Sequence, residues 1–246
     1  FFYYSIIMVQ KIHFITYGND IYNDAKKRIC EEMANTLWCD TVLSYGPDNL
    51  TEKFKGKYKN VLQMKRGAGY WIWKYDILRQ QFDKMNDNDI IIYCDAGCTI
   101  NPLGQQRFNE YIKIVNDNEC GNIGFQLPYI EKEYTVKEIF DYMGSPATII
   151  SSKQLIGGVL IMRKCKTVLN ILQQCFQLIN DDSLLITDYY NNFNHDSFFI
   201  ENRHDQSIMS VVRKQHGTII IEGEVEGDYE NGSMNEYPFW STRLKN

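Results

Sequence analysis

The chain has 246 residues, 44% of them hydrophobic and 23% charged, with a formal net charge of −5. That length and balance exclude a disordered or collagenous chain and suit a folded protein with a full core. The negative charge and the lack of a long basic stripe argue against nucleic acid as a partner, but a local basic pocket for a phosphorylated small molecule remains compatible.

Phe1 to Val9 are apolar, too short to span a membrane, and lack the charged start and cleavage site of a signal peptide. The expectation is a soluble cytoplasmic protein with no transmembrane segment, working at most beside a membrane. Ile12 to Tyr17 predict a first strand, ending at Gly18-Asn19-Asp20. The spacing of Ile29, Met33 and Leu37 predicts a helix over about 25–38. Thr41 to Ser44 read as a second strand, Leu50 to Asn60 as a lysine-rich surface segment, and Val61 to Met64 as a short extended piece. Tyr70 to Met85 predict a helix, and Ile90 to Tyr93 a buried strand.

Further on, Arg107 to Val115 read as helical, Asn122 to Leu127 as a strand stopped by Pro128, and Val136 to Met143 as a short helix. Leu155 to Met162 predict one strand carrying Gly157 and Gly158. Thr167 to Ile179 and Asp205 to Lys214 predict helices, the second ended by Gly217, and Thr218 to Ile221 a late strand. Strands alternating with helices imply a mixed, mostly parallel sheet flanked by helices, an α/β fold of the Rossmann-like nucleotide-binding kind. The simplest organisation is one domain, 1–246, of two packed halves that meet near residue 100. The seven cysteines form no pair-of-pairs zinc pattern, which points to reduced thiols without a metal role.

Three segments carry chemistry. The strand ending at Tyr93 runs into Cys94-Asp95-Ala96-Gly97-Cys98, and ligands of open α/β sheets bind beyond the carboxyl ends of strands. A plain Asx turn would explain Asp95 equally well. Lys65-Arg66-Gly67-Ala68-Gly69-Tyr70-Trp71-Ile72-Trp73-Lys74 sets two glycines between cations, which suits an anion but also an ordinary glycine turn. Gly157-Gly158 inside an apolar strand suggests close approach of a ligand. Arg203-His204-Asp205-Gln206-Ser207 gathers a base, a carboxylate and an amide at a helix start, where Asp205 could also be only an N-cap.

The order of these segments resembles a GT-A glycosyltransferase. The Gly-Gly-Val-Leu-Ile-Met strand and the Asp-Gln pair are similar to retaining family 8 and family 32 enzymes. The strings Gly-Tyr-Trp-Ile-Trp-Lys, Cys-Asp-Ala-Gly-Cys and Arg-His-Asp-Gln-Ser resemble polysaccharide-modifying transferases of bacteria and large DNA viruses. The resemblance spans about Lys11 to Gly217. It implies transfer of a sugar from a nucleotide-sugar donor, by family frequency a UDP-sugar, to a glycan, lipid-linked sugar or glycoprotein acceptor, with retention in the family 8 pattern. A nucleotide-sugar or glycan-binding protein of the same fold without catalysis is the alternative.

Position by position, the resemblance implies that Thr16, Tyr17 and Gly18 meet the nucleobase and that Arg66 and Lys74 lie near the diphosphate. Asp95, Ala96 and Gly97 stand at the Asp-x-Asp motif, Gly157 and Gly158 under the donor sugar, Asp205 at sugar hydroxyls and Gln206 at the anomeric carbon. A divalent ion, Mn²⁺ or Mg²⁺, would be held by Asp95, with His204 as an extra ligand. The chain departs from the pattern at Gly97, where the motif has its second aspartate, and it lacks the C-terminal histidine motif of family 8. Without a metal, cations such as Arg203 and Arg243 would have to offset the leaving diphosphate.

Overall fold

A computed structural model describes residues 9–193 and 195–245, so the apolar stretch at positions 1–8 lies outside the described residues. In chain order the elements are β1 (Ile12–Tyr17), α1 (Asn23–Thr36), β2 (Thr41–Tyr45), α2 (Glu52–Lys57), α3 (Lys59–Leu62), the single turn α4 (Gly67–Tyr70), α5 (Trp73–Lys84) and β3 (Ile90–Cys94). Then come β4 (Thr99–Ile100), α6 (Gln105–Asp117), β5 (Asn122–Ile130), α7 (Glu131–Tyr134), α8 (Lys137–Met143), α9 (Ala147–Ile150), β6 (Lys153–Leu155) and β7 (Val159–Arg163). The chain closes with α10 (Lys166–Asp181), α11 (Asp205–His216), β8 (Ile219–Glu222) and β9 (Phe239–Trp240).

The main sheet has seven strands in the order β2-β1-β3-β7-β5-β6, with β8 on the free edge of β5. β1, β2, β3, β5 and β8 run one way, and β6 and β7 run the other. The sheet is therefore mixed, with most strands sharing one direction. β3 is buried along its whole length. Ile91 and Tyr93 join one hydrophobic cluster with α5, α10 and α11. Ile90, Ile92 and Cys94 join the other, with α1 and α6. This two-faced burial explains a continuous apolar run in place of alternation. Each such side chain contributes about 1.5–3 kcal/mol.

Several expectations need correction. Val61 to Met64 are not extended: Val61 lies in α3, and Leu50, Phe54, Tyr58 and Val61 are buried, so the lysine-rich segment is amphipathic. The strand expected over Leu155–Met162 is two strands, β6 and β7, parted at Ile156-Gly157-Gly158, because β6 pairs only β5 while β7 enters between β3 and β5. Pro128 does not stop β5; it sits at an exposed position where the register with β6 shifts, and no ladder hydrogen bond is needed there. The helix expected from Tyr70 begins at Trp73, because Tyr70 and Trp71 have φ of 53° and 58°. All seven cysteines are free thiols. Among the described residues no helix is long and apolar enough to cross a membrane.

Candidate active site

The carboxyl end of β3 delivers Asp95 to a cleft floor built around one buried cation. Lys74, on the first turn of α5, has only 2% of its side chain exposed. Its Nζ donates to Asp205 Oδ2 at 2.5 Å and to the Gly157 carbonyl at 2.8 Å, and stands 3.5 Å from Asp95 Oδ1. Asp205 is nearly buried, whereas 40% of the Asp95 side chain is exposed. The Tyr93 hydroxyl donates to Asp95 Oδ1.

Two carboxylates thus share one ammonium. Burial works against the Lys74 charge, but Asp205 and then Asp95 outweigh it and raise its pKa above the ordinary lysine value. Burial pushes Asp205 up to about 6, with Lys74 pulling it down and Asp95 pushing it up again.

The two glycines of the parted strand make this floor fit. The Asp95 amide donates to the Gly158 carbonyl at 2.8 Å, and a Cβ on Gly158 would lie 2.9 Å from Asp95 Oδ2. A Cβ on Gly157 would lie 3.0 Å from Gln206 Cβ. Gln206 Oε1 accepts from the Gly157 amide at 2.9 Å, and Gln206 Nε2 donates to Gln154 Oε1 at 2.7 Å. The Gln206 amide is therefore held at both ends. Asp205 does not cap α11: the N-cap residue is His204, and the Asp205 carboxylate is turned to Lys74.

The glycine-rich segment forms an unusual wall. Gly67, Ala68, Gly69, Tyr70 and Trp71 all have positive φ, from 51° to 96°. L-residues rarely occupy this region in succession, at about 1–2 kcal/mol for each non-glycine residue. A Cβ on Gly67 would strike the Trp71 ring at 2.4 Å. The turn is clamped from outside: Arg66 pairs with Asp188 and Glu201 at 3.2 Å each, the Tyr70 hydroxyl donates to Asp188 at 2.9 Å, and Trp73 Nε1 donates to the Gly67 carbonyl at 2.9 Å. Tyr17 stacks on Trp73 with centroids 3.7 Å apart.

These walls enclose a cleft of about 600 Å³, lined on one side by Tyr17, Gly18, Lys65 and Trp71 and on the floor by Asp95, Gly158 and Gln206. The C-terminal segment, Ser241 and Arg243 to Lys245, also lines it. Of the residues singled out in the sequence, the structure brings Tyr17, Gly18, Asp95, Ala96, Gly97, Gly158 and Gln206 to the cleft lining, with Lys74, Gly157 and Asp205 directly beneath.

Arg243, named as a candidate cation, also lines the cleft; the other candidates sit elsewhere. Thr16 is fully buried, with a hydroxyl that has no partner among the described residues. The Arg66 side chain is committed to its two carboxylates. Arg203 stacks on the rings of Tyr129 and Tyr134. His204 is buried against Tyr70 and Trp71, with Nδ1 on the Ile186 carbonyl at 3.0 Å and Nε2 3.7 Å from Asp188. Burial and then Arg66 lower its pKa to about 4.

Sequence reasoning missed Lys65, Trp71, Leu244 and Lys245 as cleft residues. Trp71 was legible only as a helix-face aromatic, and the C-terminal residues sit in no motif.

The donor set does not fit a divalent ion. Hard cations take several oxygen ligands. Asp95 Oδ1 already serves Lys74 and Tyr93, which leaves Oδ2 as its open oxygen, and Glu226, the other carboxylate of the cleft lining, pairs with Arg243 at 2.9 Å, so too few free oxygens remain. Among the described residues no group of three or more His, Cys, Asp or Glu is placed to hold a metal ion.

No protein-family model and no curated protein matches this sequence. Solved structures do. A glycosyltransferase involved in the glycosylation of the major capsid of PBCV-1 superimposes with a TM-score of 0.50 at 11% identity, over 94% of this chain and 91% of that one. The galactosyltransferase LgtC, in complex with donor and acceptor sugar analogs, gives 0.48 at 12% identity, over 87% of this chain and 74% of that one. Mouse xyloside xylosyltransferase 1 gives 0.45 at 11% identity, over 95% of this chain and 97% of that one. The fold is that of the GT-A glycosyltransferases.

Proposed function

We propose that this GT-A chain is a glycosyltransferase that moves a sugar from a nucleotide-sugar donor to a glycan or glycoconjugate acceptor. The observation that carries the reading is the buried Lys74 holding Asp95 and Asp205 together under a cleft at the carboxyl ends of β1 and β3. Structural ion pairs are normally closed off, whereas this one leaves a carboxylate open to a pocket.

The cleft chemistry matches the demands of the reaction. The partly exposed Trp71 ring offers an apolar face for a nucleobase, with a UDP-sugar the first donor to try. Breaking the sugar–phosphate bond leaves negative charge on the diphosphate and makes the anomeric carbon cation-like. In this reading Asp95 bonds ribose or sugar hydroxyls. Asp205 and the oxygen of Gln206 would lie beneath the sugar and stabilise its positive charge. Gln206, pinned by Gly157 and Gln154, cannot take up a proton, so its part is electrostatic; in an inverting reaction the base for the acceptor hydroxyl would be Asp205.

Thermal unfolding against UDP-, GDP-, ADP-, CDP- and dTDP-sugars tests the binding half of this reading. A donor at about a hundred times its dissociation constant adds about 2.7 kcal/mol, a rise of about 5–11 °C for a chain this long. Release of nucleoside diphosphate on adding an acceptor tests the transfer half. A shift without turnover across a broad acceptor panel would leave a nucleotide-sugar-binding protein. No shift with any donor would remove the reading.

A further inference from the structure

At the position where an Asp-x-Asp motif carries its second carboxylate, the structure puts the backbone of the C-terminal segment. The Gly97 carbonyl accepts from the Leu244 amide at 2.9 Å and from the Thr242 hydroxyl at 2.9 Å. A Cβ on Gly97 would meet the Leu244 carbonyl oxygen at 3.0 Å and Arg243 Cα at 3.1 Å. The Thr242 hydroxyl also bonds that of Thr99 at 2.8 Å, and just before it β9 pairs with β4. Arg243 has a φ of 59°, so the chain turns in the left-handed region over Gly97. A residue other than glycine is costly there, and it persists only where surrounding contacts impose it.

This docking delivers cations. Arg243 and Lys245 line the cleft from the tail, and Lys65 lines it from the glycine-rich wall. All three are exposed. The Arg243 side chain is 78% exposed, and among the described residues its ion pair is with Glu226, whose side chain is 24% exposed. With the guanidinium open to solvent the pair is weak, and a doubly charged anion competes with Glu226 for it. An arginine beside phosphate makes two parallel charge-assisted bonds, and a lysine adds a point charge.

Building on the reading of the cleft as a nucleotide-sugar site, we propose that Arg243 and Lys245 of the docked tail, together with Lys65, neutralise the donor diphosphate in place of a divalent metal. Gly97 is then a seat for the tail. The glycine that breaks the metal motif and the segment that supplies the replacement charge are parts of one arrangement. The family pattern would put a metal at Asp95; here that carboxylate is bound to a buried lysine, and the space a second ligand would need is filled by backbone.

The test is calorimetric titration of the full chain with UDP, GDP, ADP, CDP and dTDP, in excess EDTA and again in excess MnCl₂, with the matching nucleosides as controls. The expected result is one diphosphate binding with the same affinity in both conditions. Arg243→Ala and Lys245→Ala should each weaken it about tenfold and leave the nucleoside unchanged. Both side chains are exposed, and an unchanged unfolding temperature would confirm that the variants fold.

Binding that needs Mn²⁺, or that Mn²⁺ tightens about tenfold or more, would overturn the metal-free proposal while leaving the nucleotide site standing. Variants that bind like the parent in EDTA would overturn the role of the tail. No binding of any diphosphate in either condition would overturn the nucleotide site and this proposal with it.

Discussion

Two buried lysine–carboxylate clusters lie among the described residues, and they differ in one respect. In the first, Glu131 is fully buried; its Oε1 accepts from Ser210 and from Lys214 at 2.8 Å, and its Oε2 from Thr135 at 3.0 Å and Gln154 at 3.2 Å. Lys214 also gives protons to Ser152 and to the Lys153 carbonyl. Every donor and acceptor is spent within the protein. In the second, Lys74 serves two carboxylates, and Asp95 Oδ2 receives no hydrogen bond among the described residues while its side chain opens on the cleft. A closed network specifies packing; an open one keeps capacity for a ligand. Gln154 joins them, since it bonds Glu131 with its amide nitrogen and holds Gln206 with its oxygen. The closed cluster is thus the brace of the open one.

The contrast can be broken at several points. Lys74→Met would take away the cation that Asp205 and Asp95 share, so that Asp205 must stay charged and unpaired or take up a proton, at about 3–5 kcal/mol of stability at most and with loss of transfer. Urea unfolding and turnover together measure it, and a stable, active variant would dissolve the contrast.

Asp95→Asn, at the open end, should lower the rate about a hundredfold to a thousandfold while the unfolding transition stays in place. Full activity there would remove Asp95 from the site. Glu131→Gln, in the closed cluster, should do the opposite: about 1–3 kcal/mol of stability lost, with donor affinity nearly kept. Gln206→Ala should slow transfer about tenfold and weaken donor binding less, read as kcat against dissociation constant.

The smallest effect is on pH dependence. In the proposed reaction Asp205 acts as a carboxylate, so activity should fall about tenfold per unit as pH drops below about 6. Its folded pKa lies above the unfolded value of 3.8, so between those values the folded state binds more protons. Falling pH in that window therefore adds stability from this group while activity declines. A rate loss that tracks unfolding would point elsewhere.

Much of the frame was legible beforehand. β1, α1, β3, α10 and α11 follow from apolar periodicity and from a run of β-branched residues that ends in Asp95, and local pattern is enough because each element buries its own face. Gly157 and Gly158 read as a strand site for close approach of a ligand; in the structure they lie between two strands, and what crowds them is the side chains of Asp95 and Gln206. The left-handed turn at Gly67–Trp71 was not legible. Its strain is imposed by Asp188, Glu201 and Trp73, which no local preference of Ala68, Tyr70 or Trp71 could foretell.

The sequence alone determined the fold class, the strand that ends in Asp95 and the placing of Asp205-Gln206 at a helix start. Those features depend on neighbours in the chain, whose spacing sets which face each side chain takes. Only tertiary structure decided that Lys74 and Asp205, 131 residues apart, share a proton-donating contact, and that the segment at Arg243 covers Gly97. Such contacts form when separate elements pack, and their energies come from desolvation and charge at the meeting point, to which no stretch of sequence is sensitive by itself.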